Sequence, residues 1–433
     1  MRVHRRGPRG PGRGGPRPPH SRVQRGGGGR LGAADRSEGL AVRFRAPVPR
    51  AVLVLAATHF VADGYSNIYA PLLPLLIPKL GLSLAMAGML TTVLQLGSSF
   101  SQLGFGHLAD RWRPRVLLIA GPFVSVVVLS FVGVAPNPVA LGAVLLVGGL
   151  GGAAFHPTAA AVVHHLGGRH SGLAMALHIT GGSLGFSLAP LLFAPFAQRA
   201  GPEWIPVLAV PGVVVLALLL RNLPPTAAAR SRQAGGLLAL RPWAVPLGLL
   251  WSIVVLRTMV SLSFATFVPV MLVRRGVSVG AAGAAVSAYL FASAAGGLTG
   301  GPLADRFGHR RLIMLSMICA VPFLVAAPML SGWAFVATLT AAGFCLQSTL
   351  PVNVTFAHLI APINAGTVSS LMMGFAWGSG GLAVPAVGLL ADRVGVEATL
   401  RVMAFAPLLA AALAWSLPRM HATRAVPAEM NIM

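Results

Sequence analysis

Asp63 and Arg257 are two charged residues that the sequence does not place in a solvent-exposed loop or tail. Both lie near the middle of long apolar stretches, whereas the other acidic and basic residues fall in predicted loops and tails. A charged side chain in an apolar, membrane-like setting is costly, and it usually marks a path for protons, ions or a charged ligand. We therefore predict that Asp63 binds a proton and that Arg257 binds an anion.

His59, Asp63 and Asn67 follow one another at intervals of four residues. On a helix this spacing places the three side chains on one face, as a polar stripe. In lipid, such a stripe must face a water-filled cavity or a polar partner. We expect His59 to adjust the proton affinity of Asp63, and an anion on Arg257 to favour proton uptake by Asp63. A purely structural Asp63–Arg257 ion pair remains the alternative.

Further polar residues lie in the apolar stretches. His156 precedes Pro157, which leaves a backbone carbonyl one turn earlier without its donor, and for His156 a cavity role and a packing role are equally open. We include it in the predicted proton- and substrate-binding set. For His178, a hydrogen bond between packed helices is the favoured interpretation. Weaker cavity candidates are Asn353, His358 and Trp377.

No metal site and no bound cofactor is predicted. His164, His165 and His170 lie close together in a predicted loop, where a solvated basic face explains them better than a metal cluster. Cys319 and Cys345 lie in separate apolar stretches, which does not favour a disulfide or a thiolate metal site.

The composition indicates what kind of structure positions these residues. Only 10% of the residues are charged and 55% are hydrophobic, whereas about a quarter of the residues in a soluble domain are charged. A membrane-spanning helix needs about 20 mostly apolar residues. Segments of this kind, numbered here as spans 1 to 12, are 51–77, 85–109, 115–134, 138–163, 171–197, 204–221, 243–272, 279–303, 311–330, 333–357, 365–390 and 397–417. The predicted fold class is an all-α membrane protein with twelve transmembrane helices.

A polar segment divides the twelve spans into two halves. We expect a six-helix bundle at 51–221, a cytoplasmic linker at 222–242, a second six-helix bundle at 243–418 and a C-terminal tail at 419–433. Arg and Lys are about twice as frequent in the loops on the side of the N-terminus as in the opposite loops, even without residues 1–50. This bias predicts an inner-membrane protein with both termini in the cytoplasm.

A Gly-x-x-x-Asp-Arg motif follows span 2 and recurs, 195 residues later, after span 8. Asp63 and Arg257 are 194 residues apart, so they occupy nearly equivalent places in two repeated halves, a common architecture of secondary carriers. We expect the two motifs to form a charged gate that holds the cytoplasmic sides of the halves together in one state. The predicted gating residues are Gly106, Asp110, Arg111 and Arg115 in the first half, and Gly301, Asp305, Arg306 and Arg310 in the second.

The paired motifs resemble the loop signature of the major facilitator superfamily. Further pieces are similar to the fosmidomycin-resistance family of drug efflux carriers: 58–63 in span 1, Phe155-His156-Pro157 in span 4, 168–174 after it, and 374–381 in span 11. The resemblance covers about residues 51–418. It implies the export of small molecules or antibiotics, such as fosmidomycin-like compounds, in exchange for protons and by alternating access.

Residues 1–50 hold thirteen of the 33 basic residues among many Gly and Pro. This composition predicts disorder, and it lacks the apolar core of a secretory signal. An over-long gene prediction is the favoured explanation of the segment. A cytoplasmic tail that touches anionic lipid is the second, and an RNA-binding arm is the third, because aromatic residues for base stacking are scarce.

The sequence has no phosphate-binding loop, since Lys79 is its only lysine and no Gly-Lys-Ser/Thr occurs. We therefore predict a secondary transporter and not an enzyme. It should be a monomer in the lipid bilayer, driven by an ion gradient, with a small-molecule substrate and no nucleic-acid partner. Two alternatives remain: proton-linked uptake of a small organic anion, and a non-transporting membrane sensor on the same fold.

Overall fold

The computed structural model describes residues 48–102, 104, 105, 108, 114–223, 237–363 and 365–419, and it places nearly all of them in helices. No β-strand occurs among these residues, so the all-α prediction is confirmed. Helices suit apolar segments in lipid because they satisfy the backbone N–H and C=O groups within the segment. The predicted N-terminal tail up to residue 47, the linker residues 224–236 and the C-terminal residues 420–433 lie outside the described residues.

The helices of the first half follow the predicted spans with small shifts. Their bounds are Arg50–Ser66 and Tyr69–Leu80 for span 1, Leu84–Gln95 for span 2, Pro114–Leu129 for span 3, Pro138–Gly167 for span 4, Ser171–Ala200 for span 5 and Ala209–Leu220 for span 6. Short 3-10 turns at Ser130–Val134, Gly168–His170 and Pro202–Leu208 connect them.

The second half repeats this order. Its helices are Ala244–Arg274 for span 7, Val279–Phe307 for span 8, His309–Ala326 for span 9, Gly332–Gln347 and Leu350–Ile360 for span 10, Ala365–Ser370, Ala376–Leu382 and Val384–Val394 for span 11, and Val396–Met403 and Ala406–Trp415 for span 12. Two 3-10 turns, Leu237–Trp243 and Ala327–Met329, precede span 7 and follow span 9.

Several spans contain a break or a wider turn. Span 1, predicted as one segment, ends its first helix at Ser66 and begins a second at Tyr69. Spans 2 and 11 each contain a five-residue π-helix, Leu96–Phe100 and Leu371–Phe375. The rings of Phe100 and Phe375 meet edge to face at 5.5 Å, so the two π turns lie against each other. Such turns are rare and are often found near functional sites.

Nine continuous helical stretches in the described part of the chain are long and apolar enough to cross a membrane. One of them, Pro138–Ala200, has 63 residues, about three times what a bilayer needs. It turns back at Gly168, whose φ of +48° suits glycine, and therefore covers spans 4 and 5. Span 1 is divided by its break, and span 2 contributes the shorter apolar helix Leu84–Phe100. The arrangement is consistent with twelve spans.

The two halves meet most extensively along two pairs of spans, 2 with 11 and 5 with 8, and the helix Tyr69–Leu80 of span 1 also contacts spans 7 and 8. A Cβ atom on Gly88 in span 2 would lie 2.6 Å from the carbonyl oxygen of Val384 in span 11. A Cβ atom on Gly283 in span 8 would lie 2.5 Å from the carbonyl oxygen of Pro190 in span 5. Glycine is needed at both places because the backbones approach so closely. The two glycines are 195 residues apart, so the repeat seen in the motifs also applies to helix packing.

The predicted cytoplasmic gate is only partly within the described residues. Gly106, Asp110 and Arg111 lie outside them, and Arg115 is an exposed residue at the start of span 3. Gly301 has open space where a Cβ would lie, and Asp305 is exposed. The guanidinium groups of Arg306 and Arg310 lie over the rings of Phe307 and Trp415. The described gating residues thus make no ion pair across the halves in this conformation, and the gate stays a prediction.

Candidate transport site

The N-terminal half gathers one carboxylate and its histidines from spans 1 and 4. His59 and Asp63 lie one turn apart on the helix Arg50–Ser66, and Nε2 of His59 is 3.1 Å from Oδ2 of Asp63. His156, on the helix Pro138–Gly167, places its Nε2 3.4 Å from the other carboxylate oxygen, Oδ1. The structure therefore brings three of the predicted binding residues into one cluster.

His178 in span 5 fixes the hydrogen position on His59. The Nδ1 atom of His59 is 2.9 Å from the backbone carbonyl oxygen of His178, and the two rings lie 4.3 Å apart. Because a carbonyl oxygen only accepts, Nδ1 of His59 must carry a hydrogen. A second proton, on Nε2 of His59 or on the carboxyl group of Asp63, is then needed to join these two groups. In this geometry the contact between His59 and Asp63 is attractive only with one proton between them.

The cluster is enclosed by helices but is not sealed. The accessible fraction of the side chain is 18% for Asp63 and 26% for His156. Span 5 passes close by at Gly182, where a Cβ atom would lie 2.4 Å from Nε2 of His59 and 2.7 Å from Oδ2 of Asp63. The carboxylate can thus meet water that enters the protein, and any side chain at position 182 would have to displace His59 and Asp63.

Arg257 is fully buried in the C-terminal half. Its Nη1 donates to Oε1 of Gln347 in span 10, and its Nη2 donates to the hydroxyl of Thr258 at 3.3 Å. The guanidinium carbon lies 5.4 Å from the ring centre of Trp377 in span 11, within cation–π range. Its Nε has no hydrogen-bond partner in the described part of the chain. None of these neighbours is an anion, so the residues around Arg257 supply it with no counter-ion.

A polar chain continues from the Arg257 site. The Nε2 atom of Gln347 donates to the hydroxyl of Ser261 at 3.1 Å, and this hydroxyl is 3.3 Å from that of Tyr289 in span 8. Gln347 and Tyr289 were not candidates from the sequence. A polar side chain inside the apolar run of span 10 is the signal that could have marked Gln347.

Asp63 and Arg257 do not pair with each other. The charged partners of Asp63 are His59 and His156, and the polar contacts of Arg257 are all within its own half. The alternative interpretation from the sequence, a direct ion pair that fastens the two halves, is therefore wrong for this conformation. The two residues lie instead in two separate clusters, one in each half.

The other predicted polar residues lie outside the His59–Asp63–His156 cluster, and they bond to other groups or have no partner among the described residues. Asn67 lies beyond the end of the first helix, and its Nδ2 donates to the carbonyl oxygen of Phe186 at 2.9 Å. The polar stripe predicted on one continuous helix is therefore limited to His59 and Asp63. His358 bonds with Ser369 at 3.0 Å. The buried side chain of Asn353 has no partner among the described residues.

The His59–Asp63–His156 cluster is also the set of described side chains that could hold a metal ion, since its donor atoms lie within 4.8 Å of one another. The two contacts of 3.1 and 3.4 Å already satisfy both carboxylate oxygens through the imidazole nitrogens. A proton shared within the cluster therefore explains the geometry without a metal.

Helical spans in two repeated halves, with ionisable groups buried inside each half, are typical of multi-pass secondary transporters. The family model of the Major Facilitator Superfamily matches residues 55–278 and again 249–431. This chain belongs to that superfamily. The two successive matches agree with the repeat of 195 residues between the motifs.

Curated relatives and solved structures agree with this assignment. The chain is 30% identical over 375 residues to the fosmidomycin resistance protein of Escherichia coli K12, which covers 82% of this chain and 89% of the relative. It is 27% identical over 382 residues to the MFS-type transporter YfnC of Bacillus subtilis 168, covering 85% and 92%. An inward-facing bacterial homologue of the human lysosomal transporter Spinster shares the fold with a TM-score of 0.71, at 16% identity, covering 86% and 97%. The nucleoside transporter NupG does so with 0.70, at 14% identity, covering 85% and 99%.

Proposed function

We propose that this chain exports small anionic molecules, fosmidomycin-like phosphonates among them, in exchange for protons. The observation that carries the proposal is that the two halves hold groups of opposite charge at separate sites. One half holds a carboxylate in contact with two histidines, and the other holds a buried guanidinium that has no acidic partner among the described residues. The inner membrane and cytoplasmic termini, predicted from the loop charges, belong to the same proposal.

The proton is carried by the His59–Asp63 pair. With Nδ1 of His59 donating to a backbone carbonyl, the 3.1 Å contact between Nε2 and Oδ2 is attractive only while one proton lies between them. Loss of that proton leaves a nitrogen lone pair facing a carboxylate oxygen. His59 and Asp63 share span 1, and His156 and His178 belong to spans 4 and 5. Proton loss therefore disturbs the packing of three spans at once, which couples protonation to the conformation of this half.

The transported anion binds Arg257. A buried charge in a low-dielectric interior is strongly favoured to acquire an opposite charge. The unpartnered Nε and the fork of Nη atoms suit the planar or tetrahedral oxygen arrangement of carboxylates, phosphates and phosphonates. Trp377 and Gln347 hold the guanidinium in place from spans 11 and 10. The relative in Escherichia coli is a fosmidomycin resistance protein. An anionic phosphonate matches the chemistry of the Arg257 site.

Proton-linked uptake of the anion is the second candidate. The observation that favours it is the absence of contact between Asp63 and Arg257, because separate sites can be filled at the same time. Uptake would move proton and anion in one direction, whereas export by exchange moves them in opposite directions.

Luminal pH in proteoliposomes distinguishes these functions. The vesicles start with an acidic lumen and a membrane potential clamped by potassium and valinomycin, and fosmidomycin, a small carboxylate, a sugar or a cationic dye is added outside. Exchange predicts that the two anions raise the luminal pH and that the sugar and dye do not. Co-transport predicts a fall in luminal pH, and a non-transporting sensor predicts no change. The Arg257→Gln variant serves as the control that should abolish the response to anions.

A further inference from the structure

Asp392, near the end of span 11, caps the start of span 2 in the other half. Its Oδ1 accepts from the backbone N–H of Leu84 at 2.8 Å, and its Oδ2 accepts from that of Ala85 at 2.9 Å. These are the first two residues of the helix Leu84–Gln95. N–H groups at a helix start have no partner within the helix, and a carboxylate there also meets the positive end of the helix dipole.

Gln198, near the end of span 5, caps the start of span 8 in the other half. Its Oε1 accepts from the backbone N–H of Gly280 at 2.6 Å, and Gly280 is the second residue of the helix Val279–Phe307. Gln198 and Asp392 are 194 residues apart, and Gly280 follows Leu84 by 196 residues. The same cross-half cap therefore occurs twice, once with an acid and once with an amide.

The helix packing beside each cap gives independent support. Gly88, one turn into span 2, and Gly283, early in span 8, press against the backbone of the opposite half, and so does Gly388 in span 11, where a Cβ atom would lie 2.2 Å from the carbonyl oxygen of Leu84. Ser287 adds a further cross-half bond, since its hydroxyl accepts from the backbone N–H of Leu191 at 2.9 Å. Each cap thus lies at the end of a tight contact between halves. We call the end of the bundle that carries both caps the closed end.

We infer that Asp392 and Gln198 are paired positioning residues that hold the closed end shut. Each cap joins the two halves, so both caps must break whenever this end opens. The two are unequal, because Asp392 makes two charge-assisted bonds whereas Gln198 makes one neutral bond. The loop charges place the closed end outside the cell. The inference rests on alternating access alone and does not depend on a proton or an anion being the transported species.

Spin labels at the closed end measure this directly. Val139 at the start of span 4 and Trp333 at the start of span 10 are 82% and 87% exposed, and they occupy equivalent places in the two halves. In a background with Cys319 and Cys345 replaced, cysteines at these two positions would carry the labels. Pulsed electron paramagnetic resonance on the purified protein in nanodiscs then reports the distance between the halves, with no substrate needed.

Asp392→Ala should increase the population of the longer distance. Loss of a helix N-cap typically changes an equilibrium by about two- to thirty-fold, and Asp392 should lie toward the upper end of that range. Gln198→Ala should give a smaller increase, Asp392→Asn an intermediate one, and Asp392→Glu should restore most of the short distance. Arg393→Ala, which removes an exposed neighbouring charge, is the matched control and should leave the distances unchanged.

Unchanged distances in Asp392→Ala and Gln198→Ala would overturn the inference, and so would an equal shift in Arg393→Ala. Should Asp392→Ala not fold, Asp392→Asn and Gln198→Ala decide in the same way. Because this measurement needs neither substrate nor pH gradient, a negative result here is distinguishable from failure of the proposed proton–anion exchange.

Discussion

Replacing Asp63 by Asn tests the proton site with the least change in shape. Asn keeps the shape of the side chain, and its Nδ2 can donate a hydrogen bond to Nε2 of His59, where a carboxylate oxygen now lies 3.1 Å away. It removes the negative charge and with it the proton shared by this pair. We therefore expect the variant to fold and to bind the anion, but to lose the link between anion movement and the pH gradient.

The expected accumulation ratio of the anion follows from the number of protons exchanged for each anion. The proposed mechanism exchanges the single proton that would join His59 to Asp63. If one proton is exchanged for each anion, a difference of one pH unit supplies about 1.4 kcal/mol, which is a tenfold concentration ratio. With the membrane potential clamped at zero, wild-type vesicles should accumulate the anion about tenfold. Asp63→Asn vesicles should reach a ratio of about one, because no proton moves with the anion.

Radiolabelled fosmidomycin in proteoliposomes with an acidic lumen measures this ratio. Anion exchange without a pH gradient should persist in Asp63→Asn, which shows that the protein is folded and inserted. Glu203→Gln, which changes an exposed carboxylate outside the cluster, should keep the wild-type ratio. A tenfold ratio in Asp63→Asn would refute the assignment of the proton to this pair.

Three further predictions concern the two clusters and the packing around them. Gly182→Ala should abolish transport, because overpacking here costs about 1–3 kcal/mol and displaces His59 and Asp63. Gly172→Ala is the control: this glycine has open space around it, and the variant should transport normally in the same assay. Arg257→Lys should raise the anion KM roughly tenfold or more, since the loss of a charge-assisted hydrogen bond costs about 1.5–3 kcal/mol; an unchanged KM would contradict the anion site. Arg275→Ala should lower the Tm in detergent more than Glu397→Gln does, because Arg275 also donates to two backbone carbonyls and an exposed ion pair contributes at most about 1 kcal/mol.

Much of the fold could be predicted from the sequence because lipid restricts the choices. Apolar segments of bilayer length must be helices, and the repeat of the Gly-x-x-x-Asp-Arg motif is visible as a separation of 195 residues. The break after Ser66 was missed. Asn67 ends that helix and bonds to the carbonyl of Phe186 in span 5, and a contact with another span cannot be found from local periodicity.

The candidate site was predictable only in part. Asp63 and Arg257 stand out because charges are rare in apolar segments, and His59 follows from helical spacing. Which helices lie next to each other depends on packing, so the sequence left a direct Asp63–Arg257 pair open as the alternative, whereas the structure has His156 on Asp63 and Gln347 on Arg257. The caps at Asp392 and Gln198 are visible in the sequence as two polar residues that end corresponding spans and are 194 residues apart.

Proton release on anion binding tests the central claim most directly. Purified protein in weakly buffered detergent solution, with a pH indicator present, is mixed with fosmidomycin, and the protons released are counted against the anions bound. Exchange requires the anion and the proton to occupy the protein in turn, so it predicts about one proton released per anion in the wild type and none in Asp63→Asn. Co-transport, in which an anion on Arg257 favours proton uptake by Asp63, predicts proton uptake instead. Anion binding that releases no proton in the wild type, or the same release from Asp63→Asn, would contradict the account.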